Sequence, residues 1–159
     1  MPKNTPYRSL GPEGRTALLT AAMKKSKELR AIFIQRMVER PGGFRAVTLQ
    51  SWPVDKLAKE IVRLNAEKPQ DEFDLLHFLY VEHAPQIQVD FLDAAGVKHE
   101  NGAIDETLEV PYATEESVKR AAAVVKGNHE ADGERYLRTL AKYAPAAWPG
   151  IQEFAGSED

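Results

Sequence analysis

Asp71-Glu72-Phe73-Asp74-Leu75-Leu76-His77-Phe78-Leu79-Tyr80-Val81-Glu82-His83-Ala84-Pro85 is the stretch that decides the fold. Its apolar residues fall at helical spacing on two faces. Phe73, Leu76, Tyr80, Val81 and Ala84 form one face, and Leu75, Phe78 and Leu79 form the other, nearly opposite. A helix that is apolar on two sides is covered on two sides. The pattern predicts a central helix opening at Gln70 or Asp71, with residues 75–81 its most buried part. Pro85 breaks or kinks it, because proline lacks a backbone donor and disfavours a helical residue before it. The apolar run at 75–81 is only seven residues long and contains His77. A bilayer span needs about 20, so no membrane segment is expected.

Downstream, Ile87, Phe91, Leu92 and Ala95 continue the helical spacing, and Gly96 is a natural left-handed cap. Asn101-Gly102 predicts a small hairpin from 97–99 and 103–105. Thr114 caps a helix whose first turn holds Glu115 and Glu116, where the macrodipole favours acids. Gly127-Asn128 is expected to end it, with Asp132 capping a last helix. Trp148, Ile151 and Phe154 are expected to fold back onto the domain.

Upstream, Val54, Leu57, Ala58, Ile61 and Leu64 make a clean stripe that stops at Asn65 or Ala66. Ser51 or Trp52 is the expected cap, with Pro53 in the first turn. Residues 44–50 read as ambiguous, with Val47, Thr48 and Leu49 able to form a short extended piece. Between Pro12 and Arg40, apolar residues recur at helical spacing but are interrupted at Lys24-Lys25-Ser26-Lys27. One straight helix here would be about 43 Å long, against a domain diameter of roughly 40 Å. Two helices, or one bent at 24–27, are predicted.

The expected fold is therefore all-α, a single-domain bundle of six or seven helices with at most one small hairpin near 97–105. Residues 1–11 are expected to be an extended arm, 12–154 one helical domain, and 155–159 a flexible tail. With 159 residues, 43% hydrophobic and 28% charged, the chain is neither an integral membrane protein nor wholly disordered. It has no cysteine, which removes disulfides, thiol nucleophiles and thiolate metal sites. No apolar stretch follows the charged N-terminus, so a soluble cytoplasmic protein is expected.

The charge is uneven. Residues 1–45 hold ten basic and three acidic side chains, net +7, and the rest holds 11 basic and 21 acidic, net −10. Such a division can mark a binding surface. The stronger reading is that the two parts cancel internally. Lys24, Lys25, Lys27 and Arg30 are expected on a solvated face, with Leu29, Ile32, Phe33 and Met37 turned inward.

The histidines are the first place to look for chemistry. Asp74 lies three residues before His77, and a carboxylate orienting an imidazole is one piece of a metal or general-base site. A di-iron bundle needs a second such motif and further carboxylates, and the sequence holds one. His83, His99 and His129 complete the metal candidates, with no His-Glu-x-x-His stretch among them. The favoured reading of His77 is a core histidine bonded to Asp74 or a carbonyl. Asp90 and Asp93 share a helix face and read as a solvated pair. No nucleophile elbow and no phosphate loop is present.

These observations favour a protein-interaction or self-associating module without catalysis, with no cofactor and no metal. Its partner-binding candidates are Lys24, Lys25, Lys27, Arg30, Trp52 and Trp148, with Tyr7 a further exposed aromatic. Two alternatives stand beside it. One is a metal-binding helical-bundle enzyme using His77 and the other histidines. The other, less favoured, is nucleic-acid binding through basic residues 15–45.

Overall fold

The computed structural model describes residues 5–154. The first four residues of the expected arm and the expected tail at 155–159 lie outside them. Seven α-helices and one two-strand hairpin make the described chain all-α, as the periodicity predicts. The chain divides into two compact units. One is Leu10–Leu75. The other joins residues 5–9 to residues 76–154.

In the first unit, α1 is Gly11–Lys25 and α2 is Lys27–Val38. The predicted interruption is a clean break at Ser26, whose backbone is extended (φ −127°, ψ 110°). Its hydroxyl accepts the Leu29 N–H at 3.1 Å, so it is the N-cap of α2. The break resets the helical phase. Phe33, Ile34 and Met37 are buried, and Ile32 is left 39% exposed. The predicted stripe turns Ile32 inward with Leu29, Phe33 and Met37, whereas α2 presents Ile34 to the core in its place. Arg30, one turn before Phe33 and Ile34, is half-buried rather than fully solvated.

A turn over Pro41-Gly42-Gly43 leads to α3, the five residues Ala46–Gln50. This stretch is helical, not extended, because Arg45 sits in the extended region and its carbonyl starts the helical bonds to Thr48 and Leu49. Helix α4 is Val54–Leu64 and buries Leu57, Ala58, Ile61 and Val62. Neither Ser51 nor Trp52 caps it. Pro53 holds that position without a side-chain bond, and Ser51 Oγ donates back to the Thr48 carbonyl. Asn65, left-handed at φ 50°, ends α4 as expected.

Two ion pairs with buried carboxylates link elements of this unit. Arg15 donates to Glu67 Oε2 through Nε at 3.0 Å and Nη2 at 2.8 Å, and to Asn65 Oδ1 at 3.1 Å. Arg36 grips Asp71 in a fork at 2.9 and 3.0 Å. Asp71 Oδ2 also accepts the Lys68 N–H at the start of α5, Pro69–Phe78. The carboxylate raises the Arg36 pKa, through its hydrogen bonds first.

Leu75, Leu76, Phe78 and Tyr80 are buried, as the two-faced pattern requires. Phe73 and Ala84 are exposed, and Leu79 and Val81 only half-buried. For Val81 and Ala84 the reason is a π-helical turn at Leu79–His83, closed by Ala84 N–H donating to the Leu79 carbonyl at 2.8 Å. The wider turn shifts every later side chain off the 3.6-residue stripe.

In the second unit, α6 is Gln86–Ala95 and ends at left-handed Gly96. The hairpin pairs β1, His99–Glu100, with β2, Ala103–Ile104, antiparallel through Asn101-Gly102. Helix α7, Glu115–Tyr143, packs along α6 and is capped by the Thr114 hydroxyl as predicted. Its break falls at Glu130 (φ 48°, ψ −122°), not at Gly127-Asn128. Asp132 caps nothing and instead pairs with Arg135 at 2.7 Å.

An aromatic chain fills this unit. Tyr80 meets Tyr136 edge-on at 4.9 Å, Tyr136 meets Phe91 at 5.5 Å, and Phe91 meets Trp148 at 5.0 Å. Edge-to-face contact suits the quadrupoles of the rings. Trp148 and Ile151 do fold back, being 2% and 0% exposed. Tyr7 is also fully buried.

Candidate functional site

The structure separates the proposed binding residues into those it buries and those it groups. Trp148 is inside the aromatic core, which removes it and Tyr7 from any contact surface. Lys24, Lys25 and Lys27 are exposed where α1 gives way to α2. Arg30 and Trp52 come together.

Their meeting follows from the short helix α3. A helix end leaves carbonyls unsatisfied, and a cation there also meets the negative end of the helix. Arg30 Nη2 donates to the carbonyls of Gln50 and Trp52, each at 3.1 Å. This pins the segment that carries Trp52. The indole is half-buried, with Phe44 edge-on at 5.0 Å and 69°. Lys56, in the first turn of α4, sets its ammonium 4.3 Å from the indole centroid. That is cation–π distance. On α3, Val47 stands 73% exposed.

Sequence reasoning missed Phe44, Val47 and Lys56. Lys56 was readable as the polar face of α4, but its position over Trp52 depends on how the chain turns through Pro53. Phe44 and Val47 lie in a stretch too short for periodicity to decide its conformation.

The histidines do not converge on His77. His77 is exposed, and the carboxylate of Asp74 accepts from Gln70 Nε2 at 3.0 Å instead. An exposed His77 is not the core histidine that was expected. His83 is exposed and stacks on Phe78 at 5.7 Å. The solvated pair on α6 turns out to hold the other two histidines. Asp90 meets His129 Nε2 and Asp93 meets His99 Nε2, each at 2.6 Å. The Gly102 N–H donates to His99 Nδ1 at 3.0 Å, which puts the ring proton on Nε2, facing Asp93. Asp90 and His129 are 39 residues apart, a separation that no local motif reveals. Among the described residues, no group of three or more His, Asp or Glu side chains is placed to hold a metal ion.

No helix among the described residues is long and apolar enough to cross a membrane. The chain matches no family model, no curated protein and no solved structure.

Proposed function

We propose that this chain is a protein-interaction module without catalysis, and that it engages its partner through the Phe44–Val47–Trp52–Lys56 surface. The observation that supports this is Trp52 itself. It is a half-buried indole edged by Phe44 and crossed by Lys56, on a backbone that Arg30 ties down through the Trp52 carbonyl. Aromatic anchors with a cationic neighbour dominate the energetics of many interfaces. A ring that is already ordered loses little freedom on binding. The partner that fits is an acidic protein segment with one apolar anchor. Its carboxylates would face Lys56 and the exposed Arg45, and its anchor would sit against Trp52 and Val47.

The charge division supports a protein partner over nucleic acid. Arg15, Arg30 and Arg36 are turned to groups of their own unit. Three arginines of the basic segment are thus occupied within their own unit.

Selection from a displayed random-peptide library tests the reading. The bait is the full chain, with Trp52→Ala as counter-selection. Peptides rich in Asp and Glu around an aromatic residue are expected. Recovery of no Trp52-dependent peptide would count against the proposal. So would tight retention on single-stranded RNA that falls steeply with salt and is lost on changing Lys24, Lys25 and Lys27 to Glu.

A further inference from the structure

A second surface feature of the first unit is built differently. Helices α1 and α4 leave an open groove of about 500 Å³ between them. Pro12, Ala17 and Val62 supply its apolar lining. Thr16 also lines it, but its hydroxyl donates to the Pro12 carbonyl at 2.8 Å, so it offers no spare proton to a ligand. Three charged residues complete the groove. Arg63 is already gripped by Glu60 in a two-bond fork at 2.8 and 2.7 Å. Glu13 sits in the first turn of α1, where the helix end favours its charge. Lys59 has no hydrogen bond or ion pair among the described residues, and it is the cation left for a ligand.

The size of the groove decides what it can hold. Its lining spans residues 12–17 of α1 and 59–63 of α4, about 6–8 Å along each axis. A stable protein interface uses roughly 20–30 residues a side, which this cannot offer. The volume falls instead within the range of small-molecule sites, about 300–1,000 Å³. The polarity decides the chemistry. One available cation at the edge of an apolar lining suits one negative headgroup on an apolar body. Glu13 on the α1 side repels a second negative charge.

We propose that the α1–α4 groove binds a monoanionic amphiphile, with its carboxylate on Lys59 and its apolar body over Pro12, Ala17 and Val62. The same chemistry is presented by a free fatty acid and by an anionic lipid in a membrane. The groove is only about 6–8 Å long on each helix and has one available cation, which favours a single free molecule over a membrane surface.

Titration of the full chain with decanoate, followed by amide chemical shifts, tests the proposal. Saturable shifts are expected at 12–17 and 59–63, and weaker ones with decanol, which lacks the charge. Lys59→Gln should weaken decanoate about fivefold, the upper end for an exposed ion pair, and leave decanol unchanged. Lys59→Arg should restore binding. Ala17→Asp, an exposed position that the fold tolerates, should abolish it. Equal decanoate affinity in Lys59→Gln, equal affinity for decanol and decanoate, or shifts elsewhere would overturn the proposal. So would binding confined to phosphatidylglycerol vesicles.

Discussion

Gly133 has no room for a side chain. A Cβ there would lie 2.4 Å from the Val125 carbonyl oxygen and 2.9 Å from Val125 Cγ1, because the chain on either side of the Glu130 break comes into close contact. Gly133→Ala should therefore cost about 1–3 kcal/mol and lower the thermal midpoint by roughly 2–4 °C for each kcal/mol. Gly127→Ala is the control, since nothing lies within 4 Å of its added carbon. It should raise the midpoint slightly through helix propensity. Equal midpoints in the two variants would contradict the close approach. Tyr80 makes a second residue-scale prediction. Its hydroxyl lies beside Thr139 and forms no hydrogen bond among the described residues, and burial pushes its pKa up to about 12. The unfolded chain ionises this group near 10. The folded state thus keeps a proton that the unfolded state loses, and the associated stability is complete below pH 10 and declines as pH rises through about 12. Tyr136 is shifted the same way by burial. Denaturant titrations between pH 8 and 12 should show stability falling, with Tyr80→Phe losing less by on the order of 2 kcal/mol. Parallel pH profiles for the two proteins would refute the assignment.

At the scale of elements, the break at Ser26 shows both what the sequence makes legible and where that ends. The lysine run 24–27 is incompatible with a continuous apolar stripe, so the interruption was readable. The phase of α2 after the break was not, since a cap can restart the helix at any rotation. The result is Arg30 turned toward α3 and Ile32 turned out. The π-helical turn at Leu79–His83 defeated the two-faced pattern in the same way, because an extra residue per turn leaves no mark in apolar spacing. The short helix α3 had too few residues for a period to show. Ion pairs between elements were illegible for another reason. Arg36 and Asp71 are 35 residues apart, and any acid downstream could have met that guanidinium. Their pairing makes an asymmetric prediction. The side chain of Asp71 is 3% exposed and that of Arg36 22%. Arg36→Ala strands a buried charge and should cost about 3 kcal/mol. Asp71→Ala should cost less, because Arg36 can reach water. The double change Arg36→Met with Asp71→Leu should recover part of the loss. Additive costs in the double variant would show that the pair is not coupled.

Over the whole chain, the uneven charge was the feature most visible before the structure and the least specific about function. Part of the basic segment is answered internally, by Glu67 and Asp71. Lys24, Lys25 and Lys27 remain exposed. The choice of Trp52 and Arg30 as contact residues rested on residue type, and the structure gives them a common place. The choice of Trp148 rested on the same signal and fell in the core, because a tryptophan near a chain end looks alike in sequence whether it folds back or not. That contrast supplies the most direct test of the proposed contact surface. The two indole N–H resonances of the full chain report separately on one surface and one buried tryptophan. Addition of an acidic peptide selected on this protein should shift the Trp52 indole and the amides of 44–56, and leave the Trp148 indole in place. Movement of the Trp148 resonance, or of neither indole, with shifts gathered elsewhere, would contradict the account.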